Sequence, residues 1–200
     1  MLLKIGSDAS INKMMQIAYY AHFNQKRKWN KEPYFVHPVR TRYIIEETFG
    51  GFLDRSTGII EASVGHDLIE DTEMTAESLG QMFDPKIVKL VEELTNPSAF
   101  VPEETPRVEK RAMDYAHIRQ ISDIAKTIKL ADRLDNLRDI QSTNYKYAMK
   151  YLAESDELAK ICYASCPVLG ERLVKLIVDK IATLEKMKKF WENDRRSNVS

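Results

Sequence analysis

Two hundred residues fit one globular domain, since a single core ordinarily supports chains of about 100–200 residues. Hydrophobic residues make up 44% and charged residues 30%, which excludes a wholly disordered chain. Lys plus Arg total 30 and Asp plus Glu total 30, so there is no global basic field to gather nucleic acid. No apolar run approaches the roughly 20 residues of a bilayer span. The opening MLLKIGSDASINK lacks the apolar stretch and cleavage site of a secretory signal. Cys162 and Cys166 are too few for a disulfide framework. Spaced by four, they would stack on one helix face as small buried hydrophobes, and no further zinc ligands stand nearby. The expectation is a reduced, cytoplasmic protein with no membrane and no nucleic-acid partner.

Helical periodicity dominates the chain. From Ile11 the apolar positions Met14, Met15, Ala18 and Ala21 recur at steps of three and four. Pro38 suits the first turn of a second helix with Val39, Tyr43 and Ile44 on its stripe. After the Gly50-Gly51 break, one helix from Ser56 to about Asp71 brings Ile59, Ile60, Ser63, Val64 and Leu68 to one side. Asp84 and Pro85 are an N-cap and first-turn pair for a helix burying Ile87, Val88, Val91 and Leu94. Residues 96–106 hold Pro97, Pro102 and Pro106 with no sustained period, and read as a mobile loop. Helices resume near Glu109, from about Ser122 (Ile124, Ile128, Ala131, Leu134, Leu137), from about Tyr145 to Cys162, and from Val168 to near Trp191. The last has Leu169, Leu173, Leu176, Ile177, Ile181 and Leu184 as its stripe, and the tail from about 193 to 200 has nothing to bury. The fold class expected is all-α, a single helical bundle in one domain.

Of four histidines, His22 and His117 stand alone among aromatic or apolar neighbours and read as ordinary core or surface residues. His66 is followed by Asp67, Glu70 and Asp71. On a helix, Glu70 follows His66 by one turn and Asp71 follows Asp67 by one turn, giving one polar strip beside the buried side. A solvated acidic face is one reading. A metal cation relieving the repulsion of stacked carboxylates is the other.

A second polar island is Asp132 with Asn136, one turn apart on an apolar helix. A buried Asp there needs a partner, from Arg133, a helix cap or a site it helps to build. Two His and two Asp (His37, His66, Asp67, Asp132) would suit divalent manganese, iron or zinc. Upstream, Arg27 and Lys28 precede His37, with Pro33 fixing the loop between. Two cations near a metal suit an anionic substrate, Arg by stacking or bidentate phosphate contact, although a generic basic loop has the same composition.

These elements, in this order, resemble the HD-domain hydrolases of the RelA/SpoT-homologue family, and in particular its single-domain small alarmone hydrolases. The likeness is carried by Arg27-Lys28 with PYFVHP (Pro33 to Pro38), HDLIEDT with a following Thr (His66 to Thr72, Thr75) and IKLADRLDNLRD (Ile128 to Asp139). Weaker matches run through LVEELT (Leu90 to Thr95) and KYLAESDEL. The resemblance implies metal-dependent hydrolysis, with manganese, of the 3′-pyrophosphate of ppGpp or pppGpp to GDP or GTP and pyrophosphate. It assigns His37, His66, Asp67 and Asp132 to the metal, and Glu70 and Asp71 to positioning and activating water. Arg27 would lie against the base, Lys28 near phosphate, and Asn136 would hold the nucleoside. Asp135 departs from the family pattern, which has an aromatic residue or His before the Asn. Other nucleotides, such as ppApp or a 3′-phosphorylated dinucleotide, are the runner-up substrates, and a silent nucleotide-binding module is the alternative from another class. No room is left for a synthetase domain, so a bifunctional enzyme is not expected.

Overall fold

The computed structural model describes residues 6–140 and 144–197, with side chains as far as residue 190. Among these residues, ten α-helices follow in order: α1 (Asp8–Ala21), α2 (Val36–Phe49), α3 (Ile59–Gly65), α4 (Leu68–Asp71), α5 (Ala76–Gly80), α6 (Pro85–Leu94), α7 (Arg107–Gln120), α8 (Asp123–Arg138), α9 (Tyr145–Cys162) and α10 (Pro167–Ser197). Among the described residues there is no strand, only an isolated antiparallel bridge between Lys26 and Pro33. The all-α expectation holds.

Several helix starts follow from local chemistry. Ser7, Asp84, Ser122 and Asn144 cap α1, α6, α8 and α9 by accepting from first-turn amides that lack an intrahelical partner, and Pro85 takes a position where no such amide is needed. Helix α3 lies at the centre, with all seven of its residues buried. It packs against α1, α2, α6 and α8, while α9 and α10 cover the far side of α8. Where α1 meets α3, a Cβ on Gly65 would lie 2.9 Å from Met14 Sδ, so this close approach favours a residue without one. The core runs continuously from Met14 and Ile45 through Ile60, Leu68, Phe83 and Ile87 to Ile128, Leu137 and Leu152.

Several elements differ from the sequence pattern. The helix expected from Ser56 to Asp71 is broken into a 3₁₀ turn (Arg55–Thr57), α3 and α4, with the break at His66 and Asp67. Asp67 sits at φ −100° and ψ 0°, which lets both side chains turn toward one cluster instead of diverging around a helix. Tyr43 is 60% exposed, because α2 meets α3 and α8 through His37, Thr41, Ile44 and Ile45. Helix α5 was not legible as an element, although Thr75 and Ser78 form its capping box.

Cys162 ends α9 and Cys166 precedes Pro167 at φ −154°, so the two do not share a helix, since a residue before proline is steered away from α geometry. Both are nevertheless free and buried. Within 96–106, Pro97–Phe100 forms a 3₁₀ turn, and Ser98 donates through its amide and hydroxyl to the buried Asp114 of α7. Helix α10 continues through Ser197, past Trp191, and residues 198–200 of the expected tail lie outside the described residues.

Candidate metal and nucleotide site

Three stretches distant in sequence converge. His37 lies in the first turn of α2, His66 and Asp67 at the break between α3 and α4, and Asp132 in the third turn of α8. His37 Nε2 is 3.1 Å from His66 Nε2 and 3.1 Å from Asp132 Oδ1. Asp67 Oδ2 is 2.9 Å from His66 Nε2 and 3.6 Å from His37 Nε2. One ligand atom each from His37, His66 and Asp132 lies within 4.8 Å of the others.

The chemistry of this donor set fits a divalent cation. His66 Nδ1 faces the carbonyl oxygen of Ser63 at 2.9 Å, and His37 Nδ1 faces Asp135 Oδ2 at 2.8 Å. Both acceptors call for a proton on Nδ1, which leaves two Nε2 lone pairs facing each other beside two carboxylates. Four acceptors then converge; Tyr34 Oη and Asn136 Nδ2 reach the two carboxylates, but the two imidazole lone pairs stay unmatched, an arrangement a cation satisfies. Ligand separations of about 3.0–3.4 Å follow from bonds of about 2.1 Å in octahedral or tetrahedral geometry. The distances above bracket that range.

Without an ion, the cluster perturbs its own titration. Burial opposes charge on His37, but hydrogen bonds to Asp132 and Asp135 and the nearby carboxylate charges outweigh it and raise its pKa to about 9. Burial also opposes ionisation of Asp132, yet the hydrogen bond and charge of His37 bring it down to about 2. Asp67 is likewise held well below the ordinary carboxylate range: His66, His37 and the Tyr34 hydroxyl overcome its burial.

The two acidic residues beyond the pair part company. Asp71 keeps the helical turn, its amide donating to the Asp67 carbonyl at 2.9 Å, and its carboxylate accepts from Tyr34 Oη at 3.1 Å. Burial and the charges of Asp67 and Glu70 push its pKa up to about 6. Glu70 does not lie in one strip with His66. It turns to Asn96, accepting from its backbone amide at 2.9 Å and from Nδ2, and burial raises its pKa. Tyr34 Oη also donates to Asp67 Oδ2 at 2.6 Å, a bridge between the two acids that no sequence pattern disclosed.

Beside the cluster is a cavity of about 170 Å³ lined by Arg27, Lys28, Trp29, Tyr34, Asn136, Ile140, Tyr147 and Tyr151. It is smaller than the ~300 Å³ of a pocket that swallows a whole ligand, so it suits one end of a nucleotide. Lys28 Nζ lies 4.4 Å from the Tyr147 ring centre and 5.1 Å from Trp29. Arg27 is buried, and its guanidinium is engaged on every edge: Nε to Asp139, Nη1 to Asn136 and Nη2 to Asp135. Bidentate phosphate contact by Arg27 would require breaking these bonds. Asn136 Nδ2 also donates to Asp132. Sequence reasoning missed Trp29, Tyr147 and Tyr151, although the last two are an aromatic pair at i and i+4 on α9. A larger cavity, about 330 Å³ beside Thr57, Lys89 and Glu93, contains none of the expected site residues.

The remaining polar candidates make contacts elsewhere. Arg133 does not partner Asp132; it donates to Ser155 and lies 4.7 Å from the Tyr151 ring. His22 bonds Gln25 and packs on Tyr34, and His117 bonds the Glu93 carbonyl.

A match to the HD domain family spans residues 15–158. The chain belongs to the HD domain family. This HD domain is 29% identical over 185 residues to guanosine-3′,5′-bis(diphosphate) 3′-pyrophosphohydrolase MESH1 of Xenopus tropicalis, covering 88% of this chain and 98% of that protein. To the Drosophila melanogaster protein of the same name it is 32% identical over 134 residues, 66% of this chain and 70% of that one. It also matches GTP pyrophosphokinase rsh of Brucella ovis, 35% identical over 140 residues, covering 67% of this chain but 17% of that protein. The same fold occurs in a solved metazoan ortholog of SpoT, with a TM-score of 0.75 at 24% identity over 87% of this chain and 97% of that one. A Listeria monocytogenes crystal structure shares it less closely, with a TM-score of 0.56 at 23% identity over 75% and 96% of the two chains.

Proposed function

We propose that this HD domain is a manganese-dependent hydrolase that removes the 3′-pyrophosphate of ppGpp or pppGpp, giving GDP or GTP and pyrophosphate. The observation that carries the reading is the convergence of His37, His66 and Asp132 with Asp67 at their edge, beside a cavity walled by cations and aromatic rings. The relatives named as ppGpp 3′-pyrophosphohydrolases, one matched over 98% of its length, supply the substrate class.

His37, His66, Asp67 and Asp132 would hold the ion. When bound, it supplies positive charge beside the phosphate oxygens and lowers the pKa of water at the site. Asp71 takes a proton from attacking water and returns it to the leaving side, a task suited to a carboxyl raised to about 6. Glu70, held by Asn96, fixes the approach of that water. Lys28 and the Arg27 face hold the anionic nucleotide, the first by charge and the second by stacking on the base, and Asn136 orients the nucleoside. These local cations do what a chain of zero formal charge cannot do through its overall field.

Purified protein with Mn²⁺ should release pyrophosphate from ppGpp, with GDP as the nucleotide product. Running ppApp, a 3′-phosphorylated dinucleotide and simple 5′-monophosphates in parallel decides the base and linkage. Turnover of 5′-monophosphates alone would overturn the reading.

A further inference from the structure

We propose that Asp135 is a positioning residue that sets the metal affinity of the site by fixing the tautomer and orientation of His37. The inference rests on the metal reading above. Asp135 is fully buried on α8, three residues after Asp132, so the two carboxylates share a helix face. They take opposite ends of one imidazole: Asp132 Oδ1 lies 3.1 Å from His37 Nε2, and Asp135 Oδ2 lies 2.8 Å from Nδ1. With the Nδ1 proton committed to Asp135, the Nε2 lone pair points into the donor cluster and His37 becomes a more basic ligand.

The same Oδ2 accepts from Arg27 Nη2 at 3.3 Å, so one oxygen joins a metal ligand to a wall of the nucleotide cavity. The other oxygen, Oδ1, is buried with no hydrogen-bond partner among the described residues. A buried carboxylate oxygen left unsatisfied is costly, so its place here calls for a reason. His66 reaches the same tautomer by a cheaper route, through the Ser63 carbonyl one turn back on its own helix. For His37 the carbonyl three residues back, that of Tyr34, accepts instead from the His37 backbone amide at 2.9 Å. The Nδ1 partner comes from another element, α8, through Asp135.

Isothermal titration of Mn²⁺ into chelator-stripped full-length protein tests this. Asp135→Asn should weaken Mn²⁺ binding about 10–100-fold, the range seen when a partner behind a ligating His is changed. Asp139→Asn, which loses a comparable Arg27 contact but touches no ligand, should bind Mn²⁺ as the unaltered protein does. Equal affinity in Asp135→Asn and unaltered protein would overturn the inference and leave the metal reading standing. Failure of unaltered protein to bind Mn²⁺ would remove both. Should Asp135→Asn not fold, ¹⁵N-histidine spectra of the zinc-loaded protein decide, with the His37 ring assigned through His37→Gln. A proton on Nδ1 supports the inference, and a proton on Nε2 overturns it.

Discussion

The side chains that meet at the donor cluster answer to opposite demands, and His37 shows how they resolve. Its pKa is raised from 6.5 to about 9 in the ion-free protein, although burial alone would lower it. A group whose folded pKa lies above its unfolded one stabilises fully below the unfolded value, and that contribution is lost as pH rises through the folded value. The metal-stripped protein should therefore lose stability between about pH 6.5 and 9, read as a falling urea midpoint, and His37→Gln should flatten that slope. The depressed Asp67 and Asp132 act in a separate window, below their ordinary pKa near 4. Because a ligating imidazole must be neutral, Mn²⁺ binding should tighten over the same rise in pH. The acids beyond the cluster separate binding from turnover. Asp67→Ala should abolish Mn²⁺ binding with helical circular dichroism retained. Glu70→Gln should bind Mn²⁺ normally and lose most pyrophosphate release, by roughly the 10²–10⁴-fold typical of a lost proton-handling or water-positioning group. Equal metal loss in both would make Glu70 a ligand.

Among the elements, the turn at residues 97–100 shows what holds an irregular segment in place. Asp114 is fully buried on α7 and accepts from the Ser98 amide, the Ser98 hydroxyl and Arg111 Nη1. Asp114→Ala strands those donors and should cost about 2–4 kcal/mol in urea unfolding. Asp114→Asn, which keeps an acceptor oxygen for Ser98, should cost less. Asn96 abuts this turn and holds Glu70, so the loss should reach turnover as well as stability. The same contrast shows which elements sequence could disclose. Helices α6, α8 and α9 carry caps and stripes that local chemistry reads directly, from Asp84, Ser122 and Asn144 onward. The break at His66–Asp67 follows Gly65 directly, but a lone glycine inside a helical pattern is tolerated and does not by itself mark an end. Site residues follow the same division. His66 and Asp67 are legible as a motif, whereas the role of Asp135 depends on α2 meeting α8 across 98 residues, and that of Tyr34 on a partner 33 residues away. Residue type alone marks neither.

At the scale of the whole molecule, the donor set spans the packing of the domain. Its side chains come from α2, from the α3–α4 break and from α8, elements that otherwise meet through the buried residues Ile44, Ile60 and Ile128. An ion held by all three binds the folded chain and has no comparable site in the unfolded one, so its binding energy becomes stability. At a free Mn²⁺ concentration 100 times the dissociation constant, the gain is about 2.7 kcal/mol. For a chain of this size, each kcal/mol moves Tm by about 2–4 °C, so saturating Mn²⁺ should raise Tm by roughly 5–11 °C and a chelator should reverse it. Asp132→Asn removes the donor furthest along the chain and should leave Tm indifferent to Mn²⁺. If Tm rose equally in that variant, the ion would be stabilising the fold from some other position, and the three elements would be joined by apolar packing alone.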